Sequence, residues 1–104
     1  MQVRVTAEGI DILDPALLTA LSVVTELDAR TAARALAADG LARATDERGP
    51  AHVWLDVAEL GRRAHPSGDD QWRTRYDEMI AYAAGKGWAD DTRSMVRAHL
   101  EAPR

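Results

Sequence analysis

The segment from Asp28 to Asp56, DARTAARALAADGLARATDERGPAHVWLD, restricts the possible folds of this chain more than any other part. It begins with a helix that Asp28 can cap and that Gly40 can end, because glycine suits the left-handed position after a helix. Two short runs, 41–45 and 51–55, then flank the polar turn DERGP. The second run, AHVWL, has the β-branched and aromatic content of a strand. The segment therefore predicts a helix followed by a β-hairpin.

The residues before this segment predict one strand and one helix. Gln2 to Thr6, QVRVT, alternates in polarity, which is typical of a short strand. Asp14-Pro15 is a typical helix start, with Asp as the cap and Pro at the first helical position. Apolar residues follow at helical spacing, so we expect a helix from about residue 15 to residue 26. These residues are Leu17, Leu18, Leu21 and Val24.

Three further helices are predicted after the hairpin. Asp56 can cap VAELGRRA, which should end before the linker HPSGDD, because proline restricts the residue that precedes it. The next helix has apolar residues at i, i+4, i+7, i+8 and i+11 and ends at Gly85. Asp90 or Asp91 then caps a last helix that contains Met95, Val96 and Leu100. The apolar residues of the middle helix are Trp72, Tyr76, Met79, Ile80 and Ala83.

Together these elements predict an α+β fold that is mostly helical. We expect a small three-stranded antiparallel sheet and about five helices. A chain of 104 residues is large enough for one modest core, so we expect a single domain, 1–104.

Two stretches, ARALAADGLARAT and HVWLDVAELGRRAH, resemble the recognition helix, following strand and wing exit of MarR-like and related winged helix-turn-helix regulators. In that family a helix ending in an acidic residue, Gly and Leu precedes a charged hairpin and an apolar strand that leads into a helix. The resemblance implies a winged-helix-like part over about 1–65, with extra C-terminal helices over about 69–102. The matching positions are Leu36, Asp39, Gly40 and Leu41, then Asp46 to Gly49, then Val53, Leu55 and Leu60.

The resemblance also implies DNA contacts. Arg30, Thr31 and Arg34 would lie on the exposed helix face, where arginine can pair with guanine edges. Arg43 and Arg48 on the hairpin could contact phosphates. The net charge of −4 opposes strong nonspecific binding, because phosphate neutralisation supplies much of such affinity. The alternative is a helix face that is solvated or that contacts protein.

Side chains that could perform chemistry are few. The chain has no cysteine, which excludes disulfides, thiolate nucleophiles and cysteine-ligated zinc. No HxxxH or HxH spacing occurs, so we expect no metal site and no cofactor. His52 and Asp56, four residues apart in an extended segment, could share a face. The alternative is that His52 faces solvent and Asp56 caps a helix.

Aromatic residues suggest two further sites. His52, Trp54 and Trp88 could line a ligand pocket, although core packing is the alternative explanation for the tryptophans. The helix that begins near Trp72 could form a homodimer through its apolar stripe. That stripe contains Trp72, Tyr76, Met79 and Ile80.

These features predict a noncatalytic binding module, a small winged-helix-like regulator or accessory protein that acts through protein or DNA contact. The alternative is a small cofactor-independent enzyme or ligand-binding protein with an aromatic pocket. A third possibility is a structural helper without independent activity. We expect a protein partner or a homodimer, with DNA and a small molecule as further possible partners. No run approaches membrane-spanning length and MQVRVTAEG lacks a signal-peptide core, so we expect a cytoplasmic protein without membrane contact.

Overall fold

The computed structural model describes residues 1–18, 21–45, 52–66, 69–90 and 92–102, with only the backbone of 43–45. Within this part of the chain there are three helices, α1 (Ala29–Ala38), α2 (Val57–Ala64) and α3 (Trp72–Gly85). Six strands also form. They are β1 (Gln2–Thr6), β2 (Gly9–Leu13), β3 (Ser22–Thr25), β4 (Ala42–Thr45), β5 (His52–Asp56) and β6 (Met95–Glu101).

The strands make one mixed sheet in the order β2-β1-β3-β6-β5-β4. The hairpin of β1 and β2 is antiparallel, whereas β3 lies parallel to β1 on one side and to β6 on the other. β5 pairs antiparallel with both β6 and β4. β3 and β6 therefore lie side by side at the centre of the sheet, between the β1–β2 hairpin and the β4–β5 pair.

This architecture shows that the predicted fold class was wrong. The sheet is larger than the three-stranded antiparallel sheet that we expected, it contains parallel pairs, and three helices are described instead of about five. The winged-helix-like arrangement with extra C-terminal helices is therefore not the fold of this chain. Two predicted helices, at about 15–26 and after residue 90, account for most of the difference.

The first of these segments forms a turn and then β3. The Asp14-Pro15 pair begins a turn, in which the Leu17 amide donates to the Asp14 carbonyl at 2.9 Å. Val23, Val24 and Thr25 follow as three consecutive β-branched residues, all buried. Such a run fits a strand paired in parallel on both sides better than a helix, because β-branched side chains lose rotamer freedom in helices. The apolar spacing before this run was compatible with either structure.

The second segment forms β6. Val96 and Ala98 are buried, whereas the intervening Arg97 and the following His99 are not. This period of two is the pattern of a strand with one covered face. Most of its residue types favour helices, but pairing with β3 and β5 overrides that local preference.

The other helix predictions are confirmed. The Asp28 carboxylate caps α1 by accepting from the Thr31 amide at 2.9 Å, and Gly40 follows the helix with a φ of +80°. The Asp56 carboxylate caps α2 by accepting from the Glu59 amide at 2.9 Å. The strand at Gln2–Thr6 and the antiparallel pairing of β4 with β5 are also as predicted. The turn predicted between β4 and β5 lies outside the described residues.

All three helices pack against one face of the sheet. Trp72 and Tyr76 of α3 are both 0% exposed, and their rings stack with centroids 4.8 Å apart. The Trp72 indole N–H donates to the Pro15 carbonyl at 2.7 Å, and the Tyr76 hydroxyl donates to the Val57 carbonyl at 2.8 Å. These bonds satisfy the polar atoms that burial removes from water. The sheet residues in this core are Val3, Val5, Val23, Ala42, Val53, Leu55, Val96 and Ala98.

Candidate functional site

The second face of the sheet is not covered by any described helix, and we call it the open face. Because side chains alternate along a strand, the residues between the core positions point to this face. These residues belong to five neighbouring strands, and many of them lie directly opposite one another in the strand register. The open face comprises Gln2, Arg4, Asp11, Leu13, Ser22, Val24, His52, Trp54, Arg97, His99 and Glu101.

Two cross-strand pairs of β5 and β6 form the most distinctive part of this face. His52 lies opposite His99, and the next pair along the ladder is Trp54 and Arg97. The Nδ1 atom of His99 and the Nε2 atom of His52 are 3.4 Å apart, and the two rings meet edge to face with centroids 5.0 Å apart. His99 is exposed and the other three side chains are half-buried. The four residues thus gather three rings and one guanidinium in one area.

Charges of both signs surround this area. The Arg4 guanidinium donates to the Asp11 carboxylate at 2.8 Å across the β1–β2 hairpin, and both side chains are about half exposed. Glu101 is exposed at the end of β6, two residues beyond His99. The described side chains of the open face therefore include two arginines and two carboxylates and carry no excess of positive charge, whereas a nucleic-acid surface needs such an excess.

The backbone positions of Arg97 and His99 depend on the loop before β6. The Asp90 carboxylate accepts from the Ser94 amide at 2.8 Å and from the Met95 amide at 3.1 Å. The bond from the Met95 amide is the largest cause of the lowered pKa of Asp90, followed by the bonds from the Ser94 and Thr92 hydroxyls and from the Ser94 amide. The Arg97 amide also donates to the Trp88 carbonyl at 2.7 Å. Bonds to Asp90 and Trp88 thus hold the start of β6 in place.

The residues predicted to line a pocket do not all come together. His52 and Trp54 lie side by side on the open face, whereas Trp88 lies in the loop after α3, 40% exposed, with its ring 6.3 Å from that of Tyr82. Asp56, the predicted partner of His52, caps α2 instead. A shallow cleft of about 300 Å³ is found elsewhere, between the β1–β2 turn and the end of α1, and includes Thr6, Glu8 and Asp39. None of the predicted pocket residues lines it.

Of the residues predicted to contact DNA, the three that the structure describes in full lie on the helix side of the molecule. Arg30, Thr31 and Arg34 are exposed on α1. The Thr31 hydroxyl donates to the Asp28 carboxylate at 2.6 Å, and this bond is the main reason that the pKa of Asp28 is lowered. Part of this predicted surface thus already serves to cap the helix. The side chain of Arg43 and the whole of Arg48 lie outside the described residues.

The residues predicted to form a dimer interface are mostly interior. Trp72 and Tyr76 are completely buried and Ile80 is 4% exposed, while Met79 is half-buried against the same core. Burial also raises the pKa of Tyr76. A dimer contact through Trp72, Tyr76 and Ile80 would require the core to open, so the structure gives these three residues a role within the chain. The homodimer itself stays a prediction.

Arg97 and His99 are the site residues that sequence reasoning missed. We expected Arg97 and His99 on a terminal helix, where neither would lie beside β5. His52 and His99 are 47 residues apart, so no local spacing motif joins them. Only the alternation of Val96, Ala98 and Leu100 with polar residues could have revealed the strand. Among the residues that the structure describes, no three His, Asp or Glu side chains form a group that could hold a metal.

Comparison of the chain with protein-family models, with curated proteins and with solved structures gave no match. Throughout the described ranges, the helices are too short or too polar to cross a membrane. The geometry of the open face is therefore the main indication of what the protein does.

Proposed function

We propose that this protein is a noncatalytic binding module that uses the open face of its sheet to contact a protein partner. The main observation is the asymmetry of the sheet. Three helices cover one face, while the other displays Trp54 and Arg97 as a cross-strand pair beside two histidines. Tryptophan and arginine are enriched among the residues that dominate protein–protein binding energies.

Charge favours a protein partner over a nucleic acid. The chain has a net charge of −4, and Arg4 on the open face is already paired with Asp11. A nucleic acid that approached this face would find Arg97 as the available arginine and would be repelled by the carboxylate of Glu101. Few of its phosphates could therefore be neutralised. A protein surface of mixed charge suits such a face better, because each arginine and each carboxylate can find an opposite charge.

The proposal can be tested by affinity capture with three forms of the protein. The first is the wild type, the second has Trp54→Thr and Arg97→Thr on the open face, and the third has Arg30→Ala and Arg34→Ala on α1. Threonine keeps the β-branched character that suits a strand. We expect a partner that the wild type and the α1 variant retain and that the open-face variant loses. Circular dichroism should first show that all three forms fold.

Three results would count against the proposal. One is a partner retained by the open-face variant, a second is a partner lost only by the α1 variant, and the third is no partner for the wild type. Fluorescence anisotropy with single- and double-stranded oligonucleotides tests the DNA alternative. Binding that weakens steeply with salt and requires Arg30 and Arg34 would favour DNA instead.

A further inference from the structure

We propose that His52 and His99 form a two-histidine site that binds a Zn²⁺ ion on the open face. Such a site would form with or without a protein partner. The cross-strand register places the two side chains directly opposite each other on the same face. Side chains at such positions are neighbours, so their imidazoles can bind one ion without any change in the backbone.

The separation of the nitrogens fits a metal better than a direct hydrogen bond. The His99 Nδ1 and His52 Nε2 atoms are 3.4 Å apart. Hydrogen bonds from N–H groups are usually about 2.7–3.2 Å long, so a direct bond between the rings would be weak. Two ligands of a tetrahedral zinc ion, with bonds of about 2.0–2.1 Å, are separated by roughly 3.3 Å. The pair therefore already has the spacing of two adjacent zinc ligands.

The chemistry of the donors also selects this class of ion. Neutral imidazole is a good ligand for Zn²⁺, Cu²⁺ and Ni²⁺ and a poor one for Mg²⁺ and Ca²⁺, which prefer oxygen. The tetrahedral spacing favours Zn²⁺ among the first group. To ligate through these nitrogens, His99 keeps its proton on Nε2 and His52 keeps its proton on Nδ1. The exposed position of His99 gives the ion access from solvent.

The protein supplies two ligands and leaves the other positions to water. No third metal-binding side chain joins the pair among the described residues, so this is an open site of modest affinity. The surrounding charges have opposing effects. The carboxylate of Glu101 lies two residues along β6 and attracts a cation, whereas Arg97, two residues in the other direction, repels it. We therefore expect one Zn²⁺ per chain, held more weakly than in a four-ligand site.

Titration calorimetry with Zn²⁺ tests this site with three matched variants. His52→Asn and His99→Asn each remove one ligand, while His65→Asn makes the same chemical change in the exposed segment after α2. We expect the first two variants to bind Zn²⁺ at least about tenfold more weakly, which corresponds to about 1.4 kcal/mol. We expect the His65→Asn variant to bind like the wild type. Trp54→Thr leaves both ligands in place and should also keep binding, although it should weaken the proposed protein contact.

Nuclear magnetic resonance of the wild-type protein removes any dependence on how well the variants fold. Zn²⁺ should shift the imidazole resonances of His52 and His99 together and leave those of His65 unchanged. Three results would overturn the proposal. They are no binding by the wild type at micromolar Zn²⁺, unchanged affinity in either His52→Asn or His99→Asn, and an equal loss in His65→Asn.

Discussion

The two faces of the sheet are built from the same strands but have opposite environments. On β5, Val53 and Leu55 are completely buried under the helices, while the alternating His52 and Trp54 are half-buried on the open face. The same contrast occurs on β6, where Val96 and Ala98 face the core. Alternation thus lets one short strand contribute to the core through one set of residues and leaves the other set available for the proposed binding.

This contrast separates the effects that a mutation can have. A residue on the covered face has many packed neighbours, so truncating it leaves a cavity. A side chain that is exposed on the open face, such as that of His99, is already in contact with water, so changing it should affect what binds more than how well the protein folds. Stability and binding should therefore respond to different substitutions at adjacent positions of the same strand.

The largest effect is expected for Leu55→Ala on the covered face. The side chain is 0% exposed and belongs to the core, so its truncation should lower the free energy of unfolding by about 2–5 kcal/mol. Urea unfolding followed by tryptophan fluorescence measures this loss. The matched substitution on the open face is His99→Thr, which should change stability by no more than about 0.5 kcal/mol. Similar losses at the two positions would mean that the open face is covered.

An intermediate effect is expected for Asp56, at the junction between the sheet and a helix. This residue ends β5 and caps α2 through the Glu59 amide. Asp56→Ala should reduce stability by about 1 kcal/mol, the usual effect of losing a cap. Asp56→Asn keeps an oxygen that can accept the same bond, so it should lose much less. An equal loss in the two variants, measured by urea unfolding, would show that the charge of Asp56 and not its capping bond is important.

A second contrast, between local and distant determinants, explains which parts of the fold could be predicted from sequence. α2 and α3 were predicted correctly because their determinants are local, namely an aspartate cap for α2 and the apolar spacing from Trp72 onward for α3. β3 and β6 were missed because a strand is stabilised by partners that are distant in sequence. The Val23–Thr25 run and the alternation of apolar and polar residues after Met95 do indicate strands. Neither pattern, however, identifies which other strand will pair with β3 or β6.

The candidate site shows the same limit. His52 and Trp54 were identified as possible site residues from their own strand. Their partners on the face, Arg97 and His99, belong to a strand that pairs with β5 only in the folded protein. The complete set of site residues could therefore be identified only once the order of the strands in the sheet was known.

The smallest effect concerns the helix side of the molecule and its response to acid. Hydrogen bonds from Thr31 lower the pKa of Asp28, and those from Arg62 and Arg63 lower the pKa of Glu59 to about 2. A carboxyl group whose pKa is lower in the folded state than in the unfolded state stabilises the fold above its unfolded pKa. That contribution is lost as the pH falls, here between roughly pH 5 and pH 2.

Asp28→Asn tests this contribution, because asparagine can still cap α1 but cannot titrate. Urea unfolding at pH 6 and at pH 3 should show that the variant loses less stability on acidification than the wild type. The difference should be small, because Asp28 is exposed to solvent and water screens its interactions. Thr31→Val is the complementary variant, since it removes the hydroxyl donor while leaving the carboxylate able to titrate. If the wild type and Asp28→Asn respond equally to acid, the capping carboxylate does not contribute, and the acid response must come from other groups such as Glu59 and Asp90.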